Sequence, residues 1–399
     1  MDLLQELRQN RMGRFQLTTL AVALTLIIID GFDVAIMSYA APSIAREWGI
    51  QPVQLGLLLS SGLFGMAAGS IFLTPMADRY GRRKVALISL AVSFAGLTLS
   101  IFAVGPTTLL VCRIITGIGV GGMMANLIVL SSEYSSDKRR GTVIAVIAAG
   151  YPIGAALGGV VARPLIPEFG WRSIFVAASV ISAILLVISL KKLPESVEYL
   201  VAKRPRNALQ SINTLLTKMK VPPICELPIL RDISQAEKGA ISEILTKPIR
   251  FRSLSLWAGY ACLVAAYYFV NTWTPQLIAS TSDDDSLGVT VALIVNIGGI
   301  VGALLFGVFT IKFRIPKALT GLLIASAATY LLFGIAFDSG SMGTYIAFFL
   351  GLTTTGAVAG YYAYSPGLYS ARARATGTGW TVGAGRLMSI VAPVLVGFL

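Results

Sequence analysis

The chain has 399 residues, of which 55% are hydrophobic and only 13% are charged, and its net charge is +13. Soluble domains carry roughly 25% charged residues, so these figures exclude an ordinary water-soluble fold and indicate a chain surrounded by lipid. Three cysteines without a CxxC pair exclude a disulfide scaffold, and neither histidine nor a metal-binding motif occurs.

Apolar runs of about 20 residues, long enough to cross a hydrocarbon core, recur along the whole chain. They predict an all-α membrane protein with eleven spans. The predicted spans lie at about 15–38, 53–73, 84–104, 107–132, 141–163 and 171–190, and then at about 253–275, 286–311, 317–337, 341–368 and 375–399.

The distribution of the 32 Lys and Arg residues predicts the orientation of these spans. With the N-terminus in the cytoplasm, 27 of them fall in inside segments and only Arg46, Arg163 and Arg172 fall outside. Because basic residues accumulate in cytoplasmic loops, this asymmetry predicts a cytoplasmic N-terminus. It also accounts for the high positive charge without a nucleic-acid partner.

Two six-helix halves joined by a long cytoplasmic loop form transporters with a substrate site near the bilayer midplane. The spans predict an N-terminal six-helix bundle at 1–190, a cytoplasmic central loop at 191–252 and a C-terminal bundle at 253–399. The last bundle has five spans, so a twelfth is missing. We expect either a chain shortened at its C-terminus or a natural variant.

The first span contains the two acids Asp30 and Asp33. A spacing of three residues places both carboxylates on one helical face. Charge facing lipid is costly, so we expect this face to lie against other helices or a water-filled cavity. Since two close carboxylates in a low dielectric resist double ionisation, one of them can hold a proton. The alternative is a structural pair bonded to neighbouring helices.

Two arginines lie within predicted spans, Arg113 in the fourth and Arg386 in the eleventh. An unpaired guanidinium inside the membrane is costly, so we expect each arginine to pair with an anion. The two parallel N–H donors of arginine can bind both oxygens of a substrate carboxylate. The glycines after Arg113 allow close approach of helices. Permanent pairing of Arg113 with Asp30, Asp33 or another acid is an alternative, and so is an ion pair of Arg386 without a transport role.

The loop between the second and third spans combines an acid, a glycine that permits a tight turn, and clustered bases. Charges at helix ends can pair in one conformation and separate in another, which predicts a gate here. Glu133 and Tyr134, which end the fourth span, are predicted to work with this loop; a solvated ion pair is the alternative. The loop residues are Asp78, Arg79, Gly81, Arg82 and Arg83.

The loop sequence ADRYGRRK resembles the signature of the major facilitator superfamily between its second and third spans. Further segments, in the same order along the chain, resemble the aromatic acid:H+ symporter family of that superfamily. They are DGFD in the first span, AAPSIAREWGI (40–50), NLIVLSSEY (126–134), GYPIGAALGG (150–159), GWRSIF (170–175), LPES (193–196), NTWTPQL (271–277) and RATGTGW with GAGR (374–386).

This resemblance implies that Asp30 and Asp33 are the family's first-span acids, which would couple transport to protons, and that Arg386 is its span-eleven arginine. Aromatic and amide side chains suit a substituted aromatic ring, although packing or interfacial roles suit each of them equally well. The side chains that could line the cavity are Asn126, Tyr267, Tyr268, Asn271, Trp273 and the tyrosines at 361–364.

We therefore expect an inner-membrane symporter, with no cofactor, that imports a small aromatic carboxylate such as benzoate or hydroxybenzoate with protons by alternating access. Its expected partners are the substrate, protons and the bilayer, and the protein is expected to be a monomer. Alternatives are a symporter of another organic acid such as muconate, a proton-driven efflux antiporter and a non-transporting receptor. No constellation of nucleophile and base supports an enzyme.

Overall fold

The computed structural model describes residues 12–136, 140–227, 246–282, 285–336, 341–369 and 374–398. Regular structure in these residues is α-helical. The helices are α1 (Arg14–Trp48), α2 (Pro52–Tyr80), α3 (Arg82–Ile101), α4 (Pro106–Glu133), α5 (Arg140–Phe169), α6 (Arg172–Lys192), α7 (Val197–Lys203), α8 (Ala208–Met219), α9 (Lys247–Ser282), α10 (Asp285–Lys312), α11 (Ile315–Ile335), α12 (Ser341–Leu368) and α13 (Arg374–Phe398).

Within the described residues, eleven helices are long and apolar enough to cross a membrane, which confirms the predicted number of spans. The short helices α7 and α8 lie in the predicted central loop. Helix α1 continues to Trp48, ten residues beyond its predicted end, and passes through Pro42. The apolar run ends earlier than the helix because a helix satisfies its own backbone hydrogen bonds and can continue wherever its side chains pack; Ile44 is fully buried.

The chain forms two compact units, and three of the helices, α1, α2 and α5, contribute to both of them. The predicted division into bundles at 1–190 and 253–399 follows the chain order and stays a prediction. The first unit takes residues 1–34, 61–154 and 172–231, and the second takes residues 35–60, 155–171 and 232–399.

Glycines bring the backbones of α2 and α4 into contact in the first unit. A Cβ atom on Gly117 would collide with the backbone carbonyl of Gly62, and one on Gly65 would collide with that of Ile114. Only hydrogen fits at these positions, so the helices approach as closely as small residues allow. The expectation that the glycines of the fourth span permit close packing is confirmed, and the contact places Arg113 beside α2.

Helices α9, α11, α12 and α13 pack together in the second unit. A Cβ atom on Gly385 would meet the ring of Tyr260, so α13 lies directly against α9 at this level. This contact places Arg386, the next residue, beside a buried hydrophobic cluster that contains three tyrosines. The buried members of that cluster are Leu256, Tyr260, Leu263, Val264, Leu319, Ala357, Tyr361 and Tyr369.

Candidate functional site

A buried ion pair joins Asp33 of α1 to Arg113 of α4. The guanidinium Nη1 donates to Asp33 Oδ1 at 2.7 Å, and Nη2 donates to the Asp33 backbone carbonyl at 3.0 Å. Each side chain is only 2% exposed. The guanidinium carbon also lies 5.9 Å from the ring centroid of Phe175. Charge at this depth is tolerated because each partner neutralises and hydrogen-bonds the other.

The space for this ion pair is provided by small residues around it. A Cβ atom on Gly62 would lie 3.3 Å from Nη2 of Arg113, and one on Gly31 would collide with the backbone of Tyr151. Helix α1 therefore lies directly on α5, and α2 leaves room for the guanidinium. Of the acids that the sequence suggested as partners of Arg113, Asp33 is the one that forms the ion pair.

Asp30 occupies a different environment from Asp33, although it lies less than one helical turn away. Its side chain is 2% exposed, and its Oδ2 atom has no hydrogen-bond partner within the part of the chain that the structure describes. It interacts electrostatically with Asp33. Burying an ionised carboxylate without hydrogen bonds is costly, so this position favours a neutral, protonated acid or a ligand that supplies a donor.

A second set of charges, here called the loop 2–3 cluster, comprises Arg82, Arg83, Glu133, Glu195 and Ser196. Arg82 forms an ion pair with Glu133 at the end of α4. Ser196 Oγ donates to Glu133 Oε2 at 2.7 Å, which fixes the carboxylate from its other side. The structure therefore brings the predicted loop residue and the predicted end of the fourth span together.

Glu195 and Ser196 are the members of this cluster that sequence reasoning did not name as site residues. Helix α3 begins after Gly81, which has a φ of 107° and no side chain to cap the helix. Glu195 Oε1 supplies the cap by accepting from the backbone N–H of Arg83 at 2.9 Å. Negative charge at a helix N-terminus is favourable. The LPES segment, an acid after proline at the end of a span, was the available signal.

Tyr134 connects the end of α4 to the segment that contains Glu195. Its hydroxyl donates to the backbone carbonyl of Glu195 at 2.6 Å, and its ring meets Phe15 edge-on at 6.1 Å. Burial, and secondly the nearby Glu195 carboxylate, raises the pKa of the Tyr134 hydroxyl. The hydroxyl therefore stays protonated and remains a donor.

The other predicted gating residues are placed differently. Arg79 is exposed and lies over the ring of its neighbour Tyr80, 5.3 Å from the centroid. The side chain of Asp78 lies outside the described part of the chain. Its predicted role, like that of Arg79, stays a prediction.

Arg386 lies in the second unit, next to Gly385, which packs against the ring of Tyr260. Arg386 interacts electrostatically with Tyr260 of α9, whose hydroxyl donates to the hydroxyl of Tyr362 of α12 at 3.0 Å. Tyr260 is buried, whereas Tyr362 is 48% exposed. An arginine beside phenolic hydroxyls offers a carboxylate both charge and hydrogen bonds.

The three remaining predicted substrate ligands use their N–H groups within the protein. Asn126 donates to the carbonyl of Gly122 at 2.6 Å, and Asn271 donates to that of Tyr267 at 3.0 Å, both within their own helices. Trp273 is buried and donates from its indole nitrogen to the carbonyl of Pro393 at 3.1 Å. Their predicted contact with substrate stays a prediction.

A protein-family model, described as that of the Major Facilitator Superfamily, matches residues 23–393. The chain belongs to the Major Facilitator Superfamily. It is therefore a multi-pass membrane transporter and not an enzyme, as expected from the sequence.

Characterised relatives confirm the resemblance to transporters of aromatic acids. The benzoate transport protein of Acinetobacter baylyi is 29% identical over 99% of this chain and 86% of that protein. The gallate transporter of Pseudomonas putida is 30% identical over 96% of this chain and 85% of that protein. The 4-hydroxybenzoate transporter of Acinetobacter baylyi is 29% identical over 97% of this chain and 86% of that protein.

Solved structures of other superfamily members confirm the fold. A bacterial homologue of the human lysosomal transporter Spinster matches with a TM-score of 0.75 and 19% identity over 97% of this chain and 82% of that chain. The xylose transporter XylE from E. coli matches with a TM-score of 0.71 and 17% identity over 96% of this chain and 93% of that chain.

Proposed function

We propose that this transporter imports a small aromatic carboxylate, of the benzoate or hydroxybenzoate type, across the inner membrane together with protons by alternating access. The observation that carries the proposal is the buried Asp33–Arg113 ion pair beside Asp30, whose Oδ2 has no partner in the described structure. Relatives that transport benzoate, gallate and 4-hydroxybenzoate support the substrate class.

Proton coupling has an energetic reason. Moving one negative charge inward against a potential that is negative inside costs about 2.3 kcal/mol for each 100 mV. A proton that enters with the carboxylate cancels this cost. Because the sequence contains no histidine, buried carboxylates are the natural proton carriers.

The proposed coupling follows from the unequal surroundings of the two acids. A proton on Asp30 removes the repulsion between neighbouring carboxylates and breaks no hydrogen bond at Oδ2. A proton on Asp33 leaves Arg113 with a net positive charge in a buried place, which favours entry of a carboxylate anion. Loss of the proton re-forms the ion pair and expels that anion.

Arg386 is the second proposed carboxylate ligand. Its planar guanidinium can hold both oxygens of a carboxylate, whereas a lysine at this position would act as a point charge. Tyr260 interacts electrostatically with Arg386 and packs against the rings of Tyr361 and Tyr362. These three rings could offer faces and edges to a substrate ring.

The loop 2–3 cluster is the proposed cytoplasmic gate. Its contacts tie the start of α3 to the ends of α4 and α6 through side chains that can separate and re-form. Asp78, Arg79 and Gly81 are included in the gate as predicted from the sequence. The cytoplasmic placement of the cluster and of the N-terminus rests on the distribution of Lys and Arg.

The proposal is tested by uptake of labelled benzoate, 4-hydroxybenzoate and muconate into proteoliposomes with an imposed pH gradient. We expect the aromatic acids to accumulate and a protonophore to abolish the accumulation. The variant Asp33→Asn should lose it, whereas Glu168→Gln, which changes an exposed acid at the end of α5, should not.

Other outcomes would identify the alternatives. Accumulation that persists with a protonophore contradicts proton coupling. Accumulation of muconate alone assigns another organic acid as substrate. Export driven by the same gradient indicates an antiporter.

A further inference from the structure

Phenolic hydroxyls are concentrated in one region of the second unit. The ring of Tyr260 lies 5.2 Å from that of Tyr361 and 5.9 Å from that of Tyr362, measured between centroids. Another tyrosine of α9, Tyr267, interacts electrostatically with further tyrosines. These are Tyr39, Tyr268, Tyr330 and Tyr362.

The hydroxyls of Tyr260 and Tyr362 form a directed pair. Tyr260 donates and Tyr362 accepts, with 3.0 Å between the oxygens. Tyr260 also interacts electrostatically with Arg386, the arginine proposed to bind the substrate carboxylate. A phenol has one proton to donate, so Tyr362 accepts from Tyr260 and directs its own proton elsewhere.

The two tyrosines differ in their access to a ligand. Tyr260 is 4% exposed, and its position is fixed by Gly385 and by the rings around it. Tyr362 is 48% exposed. Tyr362, which accepts within the pair and keeps its own proton for another partner, is therefore the exposed member, and the donor Tyr260 is the buried member.

We propose that Tyr362, oriented by Tyr260, is a specificity-determining residue that donates a hydrogen bond to a ring hydroxyl of the substrate. The inference rests on the proposed function, in which Arg386 binds the carboxylate of the same molecule. It names the substrate class more narrowly, as hydroxylated aromatic acids rather than unsubstituted benzoate.

The selectivity has a simple physical origin. When a substrate ring covers Tyr362, a hydroxylated ring supplies an acceptor for the Tyr362 proton, whereas an unsubstituted ring supplies none. A polar group left without a partner disfavours binding, and sites built for a hydroxyl discriminate against analogues that lack it. Tyr260 acts through Tyr362 and is a positioning residue.

The test measures uptake of benzoate, 3-hydroxybenzoate, 4-hydroxybenzoate and 3,4-dihydroxybenzoate into proteoliposomes that contain the full chain. We expect the best hydroxylated acid to exceed benzoate in kcat/KM by about tenfold or more, mainly through KM. Tyr362→Phe should bring this ratio to within about twofold of one, mainly by raising the KM of the hydroxylated acids. Tyr260→Phe should lower the ratio in part.

The matched control is Tyr345→Phe, which removes a phenolic hydroxyl from a 72% exposed position on the same helix as Tyr362. It should keep the wild-type ratio. Uptake is normalised to the amount of reconstituted protein. If Tyr362→Phe does not accumulate in the membrane, Tyr260→Phe provides the test. An unchanged ratio of kcat/KM between the hydroxylated acid and benzoate in Tyr260→Phe overturns the inference.

The outcomes separate this inference from the proposed function. Proton-driven uptake of benzoate and hydroxybenzoates without preference overturns the inference and leaves the function standing. An equal loss for all four acids in Tyr362→Phe also overturns it, because it assigns the hydroxyl to the carboxylate. Absence of uptake of any aromatic acid by the wild type overturns both.

Discussion

The two intramembrane arginines have contrasting surroundings. Arg113 in the first unit is 2% exposed and is held by the carboxylate and the backbone carbonyl of Asp33. Arg386 in the second unit is half-buried and interacts electrostatically with the phenol Tyr260. The same residue type is thus part of an internal ion pair in one unit and lies beside hydroxyl groups in the other.

This difference supports separate roles for the two arginines in the proposed transport cycle. The charge of Arg113 becomes available to an anion only when Asp33 is neutralised, so Arg113 suits coupling to protons. Arg386 is beside neutral hydroxyls whatever the protonation state of Asp33, so it suits recognition of the substrate carboxylate. Substitutions at the two positions should therefore differ in kind.

The largest expected effect is on the buried ion pair. Arg113→Gln leaves Asp33 buried without its partner and should lower the free energy of unfolding by about 3–5 kcal/mol. The double variant Asp33→Asn/Arg113→Gln should lose less free energy of unfolding than the sum of the losses in the two single variants, because neither variant side chain leaves a buried charge without a partner. Denaturant unfolding of the purified transporter measures both values, and an additive double variant would show that the contact contributes nothing.

The next effect distinguishes Arg386 from Arg113. Arg386→Gln should raise the KM for aromatic carboxylates by about 10-fold or more, because a charged hydrogen bond to the substrate is lost. It should lower the free energy of unfolding less than Arg113→Gln does, because Arg386 is only half-buried, whereas Arg113 is 2% exposed. The KM of Arg386→Lys should lie between that of the wild type and that of Arg386→Gln. Lysine keeps the positive charge but lacks the paired N–H donors of the guanidinium. Kinetics and unfolding on the same samples provide the check, and destabilisation as large as that of Arg113→Gln would remove the contrast.

Asp30→Asn should act on coupling alone. Asparagine resembles a protonated aspartate in shape, and Asp30 Oδ2 has no described hydrogen bond to lose. We therefore expect unfolding close to that of the wild type, loss of accumulation driven by a pH gradient, and persistence of substrate exchange without a gradient. Counterflow and gradient-driven uptake in the same vesicles separate these properties, and intact gradient-driven uptake would contradict the role of Asp30.

The smallest effect is expected in the loop 2–3 cluster. Glu195→Ala removes the carboxylate that caps α3 and should lower the free energy of unfolding by about 1 kcal/mol, as loss of a helix cap does. Glu226→Ala changes an exposed acid in the central loop and is the matched control. Equal stability of the two variants would show that the cap does not stabilise the helix.

Much of the architecture could be predicted from residues that are close in the chain. The spacing of Asp30 and Asp33 placed both acids on one helical face, and the glycines after Arg113 predicted the close contact that Gly117 makes with Gly62. Such features depend on helical periodicity and side-chain size, which local sequence specifies. The length of α1 was underestimated because hydropathy reports contact with lipid, whereas the extension of α1 buries Ile44 inside the protein and has the exposed Arg46 and Glu47 in its last turn.

The roles of polar residues were harder to predict. Asn126 and Asn271 suggested cavity ligands, yet their amide groups donate to carbonyls of their own helices, and the indole of Trp273 donates to Pro393. Glu195 was missed because its partner is the backbone N–H of Arg83, more than a hundred residues away in the chain. A backbone donor has no signature in the sequence.

The sequence by itself determined a helical membrane transporter with eleven spans in the described chain, because hydropathy and span length are summed over neighbouring residues. It also named the acids and arginines within those spans. The tertiary structure decided that Arg113 pairs with Asp33 rather than Asp30, and that Arg386 lies beside Tyr260. These choices depend on which helices meet and at what depth, and the packing of small residues on distant segments sets both.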